Sequence, residues 1–215
     1  MGDDGTGPGD GYGRGWPDSA PALPETVAAV NVGQSWLYRA CTVWEQTRRI
    51  IPGLWAEGGG RALITQPVTS EAAKASPLMQ SVLLGAMGQV VRAEAVGTIH
   101  EVWRKQVPIT DDPLNFKPGD LGRLAEIDPE IQTCLIVVWA DLTTGKVSSE
   151  LAAVSIGDFG QVTWDVDSSS QSSGPMTEIV EAVLSGVTTL TMSDAQQAME
   201  SICGAMEWGW LTWDL

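Results

Sequence analysis

The sequence predicts an α+β fold: an antiparallel meander sheet of four to five strands, with amphipathic helices packed mainly on one face. Three observations carry that prediction. From Ile131 to Asp167, three strand-like runs are separated by short turns that contain glycine. On either side of that stretch helical periodicity dominates, so helices and strands fall in blocks instead of alternating as βαβ units. The 215 residues and 43% apolar content suffice for one hydrophobic core without disulfide or metal support.

Within the central stretch, Ile131, Leu135, Val137 and Trp139 alternate with Cys134, Ile136, Val138 and Ala140, so both faces are apolar. A strand covered on both sides belongs inside its sheet. Val147 to Gly157 alternates more loosely. Gln161 to Asp167 alternates cleanly, with Val162, Trp164 and Val166 set against Gln161, Thr163, Asp165 and Asp167. One wet face marks an edge strand. The links Thr143-Thr144-Gly145 and Gly157-Asp158-Phe159-Gly160 supply residues that tolerate positive φ in hairpin loops.

In chain order, residues 1–24 contain seven glycines and four prolines and are expected to form a flexible arm, with Tyr12 and Trp16 as its only anchors. Residues 25–215 then make a single domain whose last part, 175–215, is acidic and helical. From Glu25 to Ile51 apolar residues recur at helical spacing until Pro52-Gly53, with Arg48 and Arg49 in the last turn. Glu57-Gly58-Gly59-Gly60-Arg61 lacks the spacing of a phosphate loop and reads as a plain loop. Ala62 to Val68 forms one short strand, confined to an edge by Pro67. Ser76-Pro77 caps and opens a helix to about Ala93, with Met79, Val82, Leu83, Ala86 and Val90 inward. A long strand follows from Val96. The polar connection between Pro108 and Pro129 is a candidate contact segment. After a serine-rich linker at 168–174, Pro175 opens a helix to Gly186, and Ser193 with Gln196 caps a last helix from 193 to 210. Its stripe Ala195, Met199, Ile202, Met206, Trp210 and Trp213 is the most regular in the chain.

Charge is distributed unevenly. All twelve Lys and Arg, and the one His, lie at or before Lys146, whereas Val147 to Leu215 carries ten of the 27 carboxylates and no base. A field of this sign repels nucleic acid and membrane surfaces and attracts basic proteins. Direct nucleic-acid binding is excluded by the low density of Lys and Arg. No run reaches the length of a membrane span and no basic-then-apolar leader opens the sequence, so a cytoplasmic setting is expected. Cys41, Cys134 and Cys203 lie far apart within apolar patterns and are expected as buried free thiols, with neither zinc nor another cofactor called for.

Catalytic motifs are missing in a consistent way. His100 is the only histidine, no nucleophile elbow or zinc-helix motif accompanies it, and Asp158-Phe159-Gly160 shares letters with kinases but none of their other elements. Asp165 and Asp167 imitate the start of a calcium loop that lacks its glycine and its terminal glutamate.

Three functions of different classes fit. The first is a non-enzymatic acidic binding or assembly module, alone or as a subunit of a larger complex, that engages a basic protein through Asp165, Asp167, Glu178, Glu181, Glu207, Trp208, Trp210 and Trp213. Oligomers with itself or with other chains are compatible with this reading. The second is an acidic inhibitor that mimics nucleic acid and so blocks a host defence protein. The third is a small hydrolase or transferase built on His100, Glu101, Asp111 and Asp112. The bias to Ala, Gly, Val and Arg over Lys, with many tryptophans, resembles the composition of proteins of high-GC actinobacteria and their phages.

Overall fold

The computed structural model describes residues 15–23, 31–105, 131–158, 160–167, 174–186 and 192–215. Helix α1 (Val32–Thr47) leads into the hairpin β1 (Gly53–Gly58) and β2 (Arg61–Pro67), then helix α2 (Pro77–Val91). Four strands follow: β3 (Ala95–Lys105), β4 (Ile131–Asp141), β5 (Lys146–Ile156) and β6 (Val162–Asp167). Helices α3 (Pro175–Leu184) and α4 (Met192–Met206) precede the strand β7 (Trp208–Asp214). All strands join one seven-stranded sheet in the order β6-β5-β4-β3-β1-β2-β7, and every neighbouring pair is antiparallel.

The α+β class and the antiparallel meander are as expected, with β4 interior and β6 at an edge. Among the described residues the strands number seven, which corrects the expected four to five. Strand β1 was hidden because Leu54 and Ala56 bury on one face and Trp55 on the other, leaving no polar alternation to mark it. Gly59 and Gly60, at φ 60° and 75°, form the two-residue turn that returns the chain into β2. Pro67 does not confine β2 to an edge, since it is the last residue of that strand and β7 covers its open side from Arg61 to Pro67.

Strand β7 also corrects the expected helix from 193 to 210. Glu207 turns into the left-handed region at φ 55° and ends α4, and the next seven residues are extended. A 3.6-residue period continued by chance through Trp210 and Trp213, whereas closely spaced indoles around a glycine and a threonine favour a strand.

Helices cover both faces of the sheet, not mainly one. On one face α1 buries Trp36, Leu37, Ala40 and Trp44 against Trp55, Ile64, Leu135, Val137 and Trp139. A Cβ at Gly33 would lie 2.3 Å from the Trp139 ring, so glycine there sets how closely α1 seats. The other face carries α2, α3 and α4 on Leu54, Leu63, Val96, Ile136 and Val138. Helix α2 touches α3 on one side and α4 on the other and contains no charged residue. A helix enclosed in this way is apolar nearly all round, which is why Leu84 and Met87 bury; Met79, expected inward, lies in the first turn and is 37% exposed.

Residues 15–23, expected to belong to a flexible arm, pack on the α1 face. Trp16 is only 5% exposed. Its backbone N–H donates to Gln66 Oε1 at 3.0 Å and its indole to Ile51 O at 3.3 Å. Farther along, Arg39 donates to the Pro21 carbonyl. The indole rings then assemble: Trp36 lies between Trp55 (4.7 Å, 15°) and Trp213 (5.5 Å, 17°), with Trp16 edge-on to Trp36 at 6.3 Å.

Trp213 and Trp210 share β7 but differ sharply in environment, at 2% and 44% exposure. Trp213→Ala is expected to cost about 3–5 kcal/mol through the cavity it leaves. Trp210→Ala is expected to cost less than about 1 kcal/mol. Urea denaturation of the two variants checks this, and equal costs would contradict the packing of β7.

Candidate functional site

Side-chain alternation decides where the acidic residues go. In β6, Val162, Trp164 and Val166 lean on the α1-side core. Thr163, Asp165 and Asp167 therefore project to the side of α2, α3 and α4. Helix α3 starts at Pro175, which is pre-set for the first helical turn, with Glu178 placed where the helix dipole favours a carboxylate. It packs over β3, β4 and β5 through Ile179 and Val180, and this leaves Glu178 and Glu181 exposed. The carboxylates of Asp165, Glu178 and Glu181 make no hydrogen bond or ion pair with another described residue. Four of the expected residues thus share one side of the molecule.

The expected aromatic and acidic end is arranged otherwise. Trp208 is buried on the α2 side and donates to Ala72 O at 2.9 Å. Trp213 is buried on the α1 side and donates to Pro17 O at 3.0 Å. Both indoles serve the two cores and are closed to a partner, which corrects their assignment to a docking end. Trp210 remains exposed. Glu207 is exposed at the turn into β7, where its carbonyl accepts from Val68 N–H at 2.9 Å and its carboxylate from Thr69 Oγ1 at 3.4 Å. It stands at the opposite edge of the sheet from β6, apart from the α3 group.

Of the residues considered for catalysis, Asp111 and Asp112 lie outside the described residues. His100 and Glu101 are adjacent on β3 and so project to opposite faces of the sheet. The His100 Nε2 is enclosed without a hydrogen-bond partner. Burial lowers the His100 pKa to about 4, which keeps the ring neutral at pH 7. Glu101 instead accepts the Ile50 N–H at 2.9 Å and ties the end of α1 to β3. The three cysteines are free and buried, and burial pushes their thiols up, Cys203 to about 11. Among the described residues no group of three His, Cys, Asp or Glu side chains converges in metal-binding geometry. No helix among them is long and apolar enough to cross a membrane.

A feature that periodicity did not reveal is an acidic recess of about 320 Å³ beside the Gly59-Gly60 turn, lined by Glu57, Glu94 and Asp141 together with Val32 and Ala95. These carboxylates come from three strand ends that only the β1–β3–β4 pairing brings together. Glu57 accepts from the Trp36 indole at 2.8 Å. Burial raises its pKa, Glu94 adds to that rise, and Trp36 and Arg39 oppose it. Asp141 is the contrary case, held down to about 2 by hydrogen bonds from Thr143 and Thr144.

Neither a protein family, nor a curated protein, nor a solved structure matches the chain.

A carboxyl raised by folding favours the fold below its ordinary value of 4.5, and that contribution is lost as pH rises through the folded value. Glu57→Gln stays neutral and can still accept from Trp36. Its Tm is expected to gain on the wild type as pH rises from 4.5 towards neutrality. Thermal unfolding followed across that range checks this, and a constant or shrinking difference would contradict it.

Proposed function

We propose that the chain is a non-enzymatic acidic binding or assembly module that engages a basic protein partner through the side formed by α3 and the outward carboxylates of β6. The observation that carries this reading is the exposed group Asp165, Glu178 and Glu181, which no cation among the described residues neutralises, in a part of the chain that contains no Lys or Arg. Such a field steers a basic partner during encounter and weakens as salt screens it. The proposed setting is the cytoplasm, and the buried free thiols support it because they suit a reducing compartment. The exposed Trp210 supplies a separate apolar contact at the far edge of the sheet.

Poly-L-lysine tests the surface directly. Reversing Asp165, Glu178 and Glu181 to lysine is expected to weaken its binding by about tenfold more than reversing Glu71, Glu94 and Asp214, a change of equal net charge elsewhere. Titration calorimetry at low salt measures both. Equal losses would assign the attraction to net charge alone and reject this surface.

A further inference from the structure

The outer edge of β6 adds a backbone feature to the same surface. β6 ends the strand order, and no described residue pairs with its outer side. At its start the Gly157 N–H donates to Gln161 O at 2.9 Å, directly across the register that continues through Ser155↔Thr163, Ala153↔Asp165 and Leu151↔Asp167. In an antiparallel ladder, pairs bonded to each other alternate with pairs whose amides turn away. The pairs in that series are the bonded ones. The N–H and C=O groups of Val162, Trp164 and Val166 therefore face out of the sheet, and none of them is taken by a described residue.

The side chains of β6 are sorted to match. Val162, Trp164 and Val166 form a half-buried apolar row on the α1 side. Thr163, Asp165 and Asp167 form a polar row on the side where α3 presents Glu178 and Glu181. Free backbone groups on an edge are a template for an added strand. Charge decides which strand. A second copy of β6 would bring aspartates against aspartates on chains that each carry a net charge of −15, and like charges across a strand pair are destabilising. A segment with Lys or Arg at alternate positions would instead place its cations across from the aspartates. Its intervening apolar residues would continue the row of Val162, Trp164 and Val166.

We infer that β6 is a docking edge for an extended basic segment of a partner protein, in which Lys or Arg alternates with apolar residues, held as an eighth strand beside the seven of the sheet. The inference rests on the proposed acidic-module function and specifies how the partner is held.

The probe is a blocked seven-residue peptide of alternating lysine and valine, added to the full chain at low salt, with a glutamate–valine peptide as control. The lysine–valine peptide is expected to bind and to slow hydrogen exchange at Val162, Trp164 and Val166, and the control is expected not to bind. Val166→Pro removes one outward N–H without touching a β5–β6 hydrogen bond, because Val166↔Ala152 is not a bonded pair. It is expected to weaken binding about five- to tenfold. Should that variant fail to fold, a lysine–valine peptide N-methylated along one edge makes the same comparison on the wild type. If the proline variant or the N-methylated peptide binds as tightly as its parent, strand addition is overturned while the acidic-module reading stands. If the lysine–valine peptide does not bind the wild type while poly-L-lysine does, the docking edge is overturned and the acidic-module reading stands; if neither binds, both fall. Sedimentation showing a dimer with these three amides protected in the absence of peptide would make a second copy the occupant and overturn the inference.

Discussion

The Trp36 indole is the contact on which the rest of the molecule depends. It is held face to face between Trp55 of β1 and Trp213 of β7, with Trp16 against its edge. These centroid separations lie in the range where aromatic pairs attract beyond the area they bury. One ring from α1 thus joins the first hairpin, the last strand and the segment 15–23. Its N–H is spent on Glu57, which holds a carboxylate at the mouth of the acidic recess. The stack has a cost, since Trp55 Nε1 is buried without a partner. Close packing of the rings offsets it, and Gly97 makes room for them: a Cβ there would lie 2.6 Å from Trp55.

Building on that stack, the two faces of the sheet acquire different characters. The α1 face is closed by indoles and includes Arg39, largely buried, and Arg48, whose guanidinium lies 5.5 Å from the Trp44 ring. The opposite face is closed by three helices of which the middle one, α2, has no charge, whereas α3, α4 and the outer row of β6 carry carboxylates. The sheet is a divider between these two environments. Because side chains alternate along β6, a single strand serves both: Trp164 packs edge-on to Trp44 on one side while Asp165 faces solvent on the other.

Much of this was legible in the sequence, and the boundary is physical. β4 and β6 were readable because a strand with two covered faces and a strand with one wet face leave different alternations. The start of α2 was readable because Ser76 caps it, accepting from Met79 N–H at 3.3 Å. β1 was not, since buried Leu54, Trp55 and Ala56 leave no periodic trace in so short a run. β7 was mistaken for helix because Met206, Trp210 and Trp213 happen to satisfy a helical spacing, and the one residue that breaks it, Glu207 at φ 55°, is not a glycine. The candidate site divides along the same line. Exposure of Glu178 and Glu181 follows from helix periodicity, whereas the fate of Trp208 and Trp213 depends on pairing with a strand far earlier in the chain, Pro67 for the one and Ala62 for the other.

That distant pairing also bears on how the molecule assembles. The hydrogen bond from Trp213 to Pro17 spans 196 positions, and closing so long a loop in an open chain costs about 5 kcal/mol in entropy. The hairpins β1–β2, β4–β5 and β5–β6 close across short turns and bear smaller closure costs. The sheet is therefore expected to grow from these local hairpins, and the contacts of Trp213 in the tryptophan stack that holds the finished protein together are among the last to close.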